Sequence, residues 1–232
     1  MKSQRKLLYT GIFISIILSW VIFFIFSDKV LNNLTSEDHF IEWIGTTCLL
    51  GSSIAFFISY LRNKEGNDLI LFKTDRNYFF LLLALIFFFG FGEEISWGQR
   101  IFGWHSPGLF NHLNDQQETN IHNLKLFRGV LGFNHLFTFF WVSYCLIVPL
   151  LIRKSAVVSN FLTRINLPIV PLWLGISFLF SYTFFIVLKM IMLNLTHALT
   201  EVKETSLSSL FLVFSILCLN KVISQDGEIR QW

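Results

Sequence analysis

Six long apolar runs, separated by short polar stretches, constrain this chain more than any other feature. A helix crossing about 30 Å of hydrocarbon needs roughly 20 residues. The runs at 7–26, 41–61, 78–97, 130–152, 169–190 and 207–223 meet or approach that length. The first follows Lys2, Arg5 and Lys6, exceeds a signal-peptide core and lacks a small-x-small site near Ser27, so a retained signal anchor is expected. Composition agrees: 53% of the 232 residues are hydrophobic and 14% charged, against about 45–50% and about 25% in soluble domains. The fold class expected is therefore all-α, a polytopic integral membrane bundle of about six transmembrane helices forming one domain over 1–232. Three Cys and four Pro argue against disulfide and collagen scaffolds. A net charge of +3 with no basic stripe argues against nucleic acid as a partner. The lipid bilayer is the expected partner.

Basic residues set the expected orientation, because cytoplasmic loops hold the excess of Lys and Arg. With the amino terminus inside, twelve of the eighteen fall on the inner side. Lys29, Arg100, Lys125, Arg128, Lys189 and Lys203 are left outside. Both termini are then cytoplasmic and the 98–128 segment is periplasmic. Within it, Phe102–Gly108 has the aromatic and turn residues of a re-entrant or interfacial stretch. All six His and ten of the fifteen acids fall on the outer side, so chemistry is expected there.

The sharpest signal is Gly92-Glu93-Glu94-Ile95-Ser96-Trp97-Gly98-Gln99-Arg100. The apolar residues before it span only about 21 Å at 1.5 Å per residue, so the helix is expected to continue to residue 97. That places two acids in its outer turns, where a central acid costs about 2.5–3.5 kcal/mol on the insertion scale and a shallower one less. Helical spacing would put Glu93, Trp97 and Arg100 on one face. Glu93 and Glu94 are candidate catalytic acid/base residues. The alternative is a plain helix end with a Glu93–Arg100 pair and an interfacial Trp97.

A second polar cluster runs from Asn114 to Asn123. Glu118 and His122 are four apart and would share a helical face, so Glu94, Glu118 and His122 form a candidate set for a divalent metal such as Zn, Mn or Mg. Asn120, Asn123, Gln99, Arg100, Trp97 and Glu42 are candidates for substrate contacts or for orienting the ligands. A solvated loop would also be this polar. His197, Glu201 and Glu204 read by default as a solvated helix face, and Cys48, Cys145 and Cys218 as inert packing.

The Glu-Glu-Ile-Ser-Trp-Gly-Gln-Arg run, the later Gln-Glu-Thr-Asn-Ile-His-Asn stretch and an Asp-x-x-x-Glu-Trp helix start together resemble a group of bacterial multi-pass membrane proteins without an established activity. The resemblance covers about residues 37–123. It implies a bacterial inner-membrane location with the acids and His122 at one site. The CAAX-type intramembrane proteases also carry paired glutamates, with three residues between the pair and an Arg. Here five residues separate Glu94 from Arg100, and none of the six His has Phe four places earlier or Asn or Asp four places later. Membership of that family is not expected.

The function expected from these residues is a metal-dependent hydrolase or transferase acting on a lipid or lipid-linked substrate. A transporter, channel or sensor using the same carboxylates for protons or cations is the rival, and a membrane scaffold the third reading.

Overall fold

The structure is a computed structural model and describes residues 2–36, 39–69, 72–108, 113–114, 117–121, 123–127 and 132–229. Among the described residues the regular elements are helices apart from one two-residue ladder. In chain order the elements are α1 (Lys2–Ile25), α2 (Asp28–Leu34), α3 (Phe40–Arg62), β1 (Asp68–Leu69), β2 (Phe72–Lys73), α4 (Tyr78–Glu94), α5 (Gln99–Phe102), α6 (Phe133–Lys154), α7 (Ala156–Arg164), α8 (Leu172–Ile191) and α9 (Thr196–Ile229). β1 and β2 pair antiparallel, with Asp68 opposite Lys73.

Among the described residues four helices are long and apolar enough to cross a membrane: α3, α6, α8 and the Leu193–Gln225 stretch that contains most of α9. The expected segments at 41–61, 130–152, 169–190 and 207–223 fall within or across these. The first apolar run forms a shorter apolar helical stretch, Thr10–Ile25. α4 has 17 residues, about 25 Å at 1.5 Å per residue. Its end at Glu94 corrects the expected helix over 78–97.

Small residues bring α3, α4 and α9 together. A Cβ on Gly45 of α3 would lie 2.9 Å from Thr205 Oγ1 and 3.3 Å from its Cα, so the backbones of α3 and α9 approach closely. Thr205 donates to the Ile41 carbonyl at 2.9 Å, and Cys48 Sγ lies 3.5 Å from Ser209 Oγ. Ser53 of α3 donates to the Ala84 carbonyl of α4 at 2.9 Å. Such contacts suit helices packing in hydrocarbon, where close approach and interhelical hydrogen bonds replace the hydrophobic drive. The cysteines are free, as expected.

Aromatic rings fill the space between these helices. Phe211 of α9 is fully buried, with the Phe87 ring 4.8 Å and the Phe178 ring 4.7 Å from its own. The outward faces are just as apolar: α4 buries Phe80, Leu83, Ala84 and Phe87 and exposes Leu82, Leu85, Ile86 and Phe88. A helix apolar all round needs apolar surroundings on every side.

α6 carries a π-helical stretch, Val142–Ile147, against which α8 packs through Gly175; a Cβ there would fall 2.1 Å from the Cys145 carbonyl oxygen. α1 joins through Trp20, whose Nε1 donates to Ser181 Oγ at 3.3 Å, and through Ser19, whose hydroxyl lies 3.2 Å from that of Ser206. The bundle has two chemically distinct ends. α3 and α9 begin, and α4 finishes, at a carboxylate end. α3 finishes and α4 begins at a basic end that includes Arg62, Lys64, Lys73, Arg76, Arg164 and Lys221.

Candidate functional site

At the carboxylate end the chain leaves α4 through a reversal rather than another helical turn. Ser96 (φ 48°), Trp97 (φ 53°) and Gly98 (φ 86°) are successive left-handed residues. For Ser and Trp this conformation costs about 1–2 kcal/mol each. Tertiary contacts offset that cost. The Trp97 indole folds back onto Gly92, where a Cβ would sit 2.8 Å from the ring, and its Nε1 donates to Glu93 Oε1 at 2.7 Å. The Phe88 and Phe89 rings meet it edge-on. Trp97 and Glu93 thus touch because the helix stops, not because they share a helical face.

The reversal delivers Ser96 and Gln99 to the loop around residues 114–124. Glu93, 3% exposed, accepts at Oε2 from the Ile121 backbone N–H at 2.6 Å. Ser96 donates to Glu118 Oε2, which also receives the Asn120 side-chain amide at 2.7 Å. Asn114 donates to both oxygens of Asn120, its backbone carbonyl and Oδ1, each at 2.8 Å, and its pairing with Leu124 closes the loop. Gln99 Oε1 accepts from the Thr119 N–H at 2.6 Å, the Thr119 hydroxyl at 2.9 Å and the Ser106 hydroxyl at 3.0 Å. The two polar motifs, far apart in sequence, are therefore joined by hydrogen bonds. Residues 117–121 are irregular, so Glu118 sits on no helix. His122 lies outside the described residues, as do Glu37, Asp38 and the side chain of Arg100. Asn123 is half-buried in the same loop.

A second group of acids stands at the same end. Glu42 is in the first turn of α3, Glu94 is the last residue of α4, and Glu201 and Glu204 are near the start of α9. The charges of Glu204, Glu94 and Glu42 all act on Glu201, and that of Lys203 opposes them. The Lys203 side chain is 8% exposed, bonds Glu204 at 3.0 Å and lies over the Phe185 ring, 5.1 Å from its centroid. His197 Nδ1 is 3.7 Å from Glu201. Glu201 and Glu204 are half-buried, which corrects the expected solvated face at those two positions, while His197 is exposed as expected. A usable signal is in the sequence: Glu201, Glu204, Thr205 and Ser208 follow the i, i+3, i+4, i+7 spacing of one helical face, and Thr205 bonds α3.

Glu118 bonds Ser96 and Asn120, and the charge of Glu94 reaches Glu201; His122, the third residue of the expected metal set, lies outside the described residues. Among the described residues, no group of three His, Cys, Asp or Glu side chains could hold a metal ion. Comparison with protein-family models, with curated proteins and with solved structures finds no match to this chain.

Proposed function

We propose that this chain is a six-span bacterial inner-membrane protein with both termini in the cytoplasm. In this reading its carboxylate end faces the periplasm and carries acid–base chemistry, a hydrolase or transferase reaction, on a lipid or lipid-linked substrate. The observation that carries the proposal is that the charges of Glu42, Glu94 and Glu204, from three helices, all reach Glu201, with Lys203 bonded to Glu204, at the end of helices apolar enough to cross a bilayer. Hydrolysis and group transfer need one group to take a proton from the attacking hydroxyl and another to favour departure of the leaving group. Half-buried Glu94 is the proposed base, and Lys203 the cation that stabilises developing negative charge. Glu93 has an oxygen on Trp97 and the other on Ile121, so its proposed role is to position the loop over the site.

The test is mass analysis of membrane lipids incubated with the purified protein in nanodiscs. Glu94→Gln should abolish a lipid conversion, by about a hundredfold or more, while leaving the thermal midpoint close to wild type. Proton or cation flux lost in that variant, with no lipid turned over by the wild type, would replace this proposal with the transport reading. Neither activity would leave the scaffold.

A further inference from the structure

The basic end holds a feature unrelated to the carboxylate site: a cavity of about 320 Å³ between the start of α4, the 163–171 connection and the last turns of α9. That volume is at the lower end of the range for small-molecule sites, about 300–1,000 Å³. Its apolar wall includes Phe80, Phe214, Leu217, Val222 and Ile169. Of the amides that border it, Asn77 is spent on the Asn166 carbonyl, the Phe79 N–H and Asn67, and Asn166 on the Gly66 carbonyl. These bonds hold the wall. The charged groups on the lining are Glu65 and Lys221, both exposed, and among the described residues no ion pair joins them.

One carboxylate and one ammonium at the rim of an apolar cavity, at the end of helices apolar enough to span a bilayer, match one kind of amphiphile. We infer that this cavity binds a zwitterionic phospholipid, with the phosphate against Lys221, the headgroup ammonium against Glu65 and the upper part of an acyl chain along Phe80, Phe214 and Leu217. An anionic lipid such as phosphatidylglycerol brings the same phosphate to Lys221 but offers Glu65 no ammonium. A cationic amphiphile would meet the reverse. The surrounding Arg62, Lys64, Arg76 and Arg164 place this end in the leaflet that holds the basic loops. The site is independent of the proposed chemistry at the other end and rests only on the membrane-spanning reading.

The experiment is native mass spectrometry of the full chain released from nanodiscs containing equal phosphatidylethanolamine and phosphatidylglycerol, with thermal shift of the delipidated protein on adding back each lipid. Wild type should retain phosphatidylethanolamine in preference and be stabilised by it. Soluble glycerophosphoethanolamine, which lacks chains, should not replace it. Lys221→Glu and Glu65→Lys should each weaken retention about tenfold, the order of one charge-assisted contact. The double reversal should restore much of it. Leu217→Trp, which fills the cavity, should remove the bound lipid while the protein still elutes as a folded species. Equal retention of both lipids, retention unchanged in the single reversals, or lipid still bound to Leu217→Trp would each overturn the assignment.

Discussion

The two ends of α4 solve one structural problem with different chemistry. At the basic end, amides do the work. Asn67 Oδ1 accepts from the Tyr78 N–H at 2.7 Å and Asn77 Oδ1 from the Phe79 N–H at 3.0 Å, while Asn67 Nδ2 donates to Asn77 Oδ1 at 3.0 Å and the Ile165 carbonyl at 2.8 Å. An amide both donates and accepts, so a few of them link a hairpin, a helix start and a distant connection without leaving charge behind. At the carboxylate end Glu93 and Glu118 only accept. They gather Trp97, Ser96, Asn120 and the Ile121 N–H, and they add negative charge to an end that already holds Glu42, Glu94, Glu201 and Glu204. A neutral network serves architecture alone. A network of carboxylates brings reactive groups with it, which is why the candidate chemistry lies at that end.

This contrast is open to direct challenge through mutation. Glu93→Ala leaves the Trp97 and Ile121 donors without their acceptor in a site that is 3% exposed. The expected loss is about 3–5 kcal/mol, since bonds to a charged acceptor are worth about 1.5–3 kcal/mol each. Thermal unfolding in detergent measures it, and limited proteolysis of the 98–128 segment should show that segment released first. If unfolding is unaltered, Glu93 does not hold the loop.

Asn67→Ala should cost about 2–4 kcal/mol, because it strips the Tyr78 N–H, Asn77 and the Ile165 carbonyl of a buried partner. Proteolytic opening should then begin at the β1–β2 hairpin and leave the 98–128 segment protected. Opening at both ends together would mean that the two networks are coupled through α4 rather than local.

Gly92→Ala sets a Cβ 2.8 Å from the Trp97 ring and should cost about 1–3 kcal/mol, the usual range for overpacking. A change in Trp fluorescence from the displaced indole should accompany the lowered midpoint. An unshifted spectrum would show that the reversal tolerates a looser Trp97.

The smallest effect compares two left-handed residues, one at each end. Gln117 has φ 60° and is exposed, and its contact to Ser106 uses the backbone carbonyl. Gln117→Gly should therefore stabilise by about 0.5–1 kcal/mol as the left-handed cost is relieved. Asn166 has φ 51°, but its side chain donates to Gly66, so Asn166→Gly should be neutral or destabilising by about 1 kcal/mol. Chemical denaturation of both variants gives the two signs, and matching signs would show that the Asn166 side chain contributes nothing.

Much of the architecture was legible in the chain. The apolar runs at 41–61, 130–152, 169–190 and 207–223 coincide with helices long and apolar enough to cross a membrane, because hydropathy acts on each segment by itself. The polarity of the Glu93–Arg100 and Asn114–Asn123 stretches also marked where a network would form. The end of α4 was not legible. Nothing local stops a helix at Glu94; the left-handed turn persists because Trp97 finds Gly92, Glu93, Phe88 and Phe89 around it. Glu201 and Glu204 were misread for a related reason, since exposed and buried charges look alike until a neighbouring helix is in place.

The sequence by itself determined which segments are apolar enough to leave water, where Lys and Arg gather and which polar residues are costly to place near a bilayer. These are sums over neighbouring residues, so one chain suffices to read them. Tertiary structure alone decided that Glu93 holds Ile121, that Glu118 meets Ser96, and that the charges of Glu42 and Glu94 reach Glu201. Each of those outcomes depends on which partner a carboxylate finds across the bundle. Small residues such as Gly45, Ser53 and Gly92 set that choice by how closely they let the backbones and rings approach.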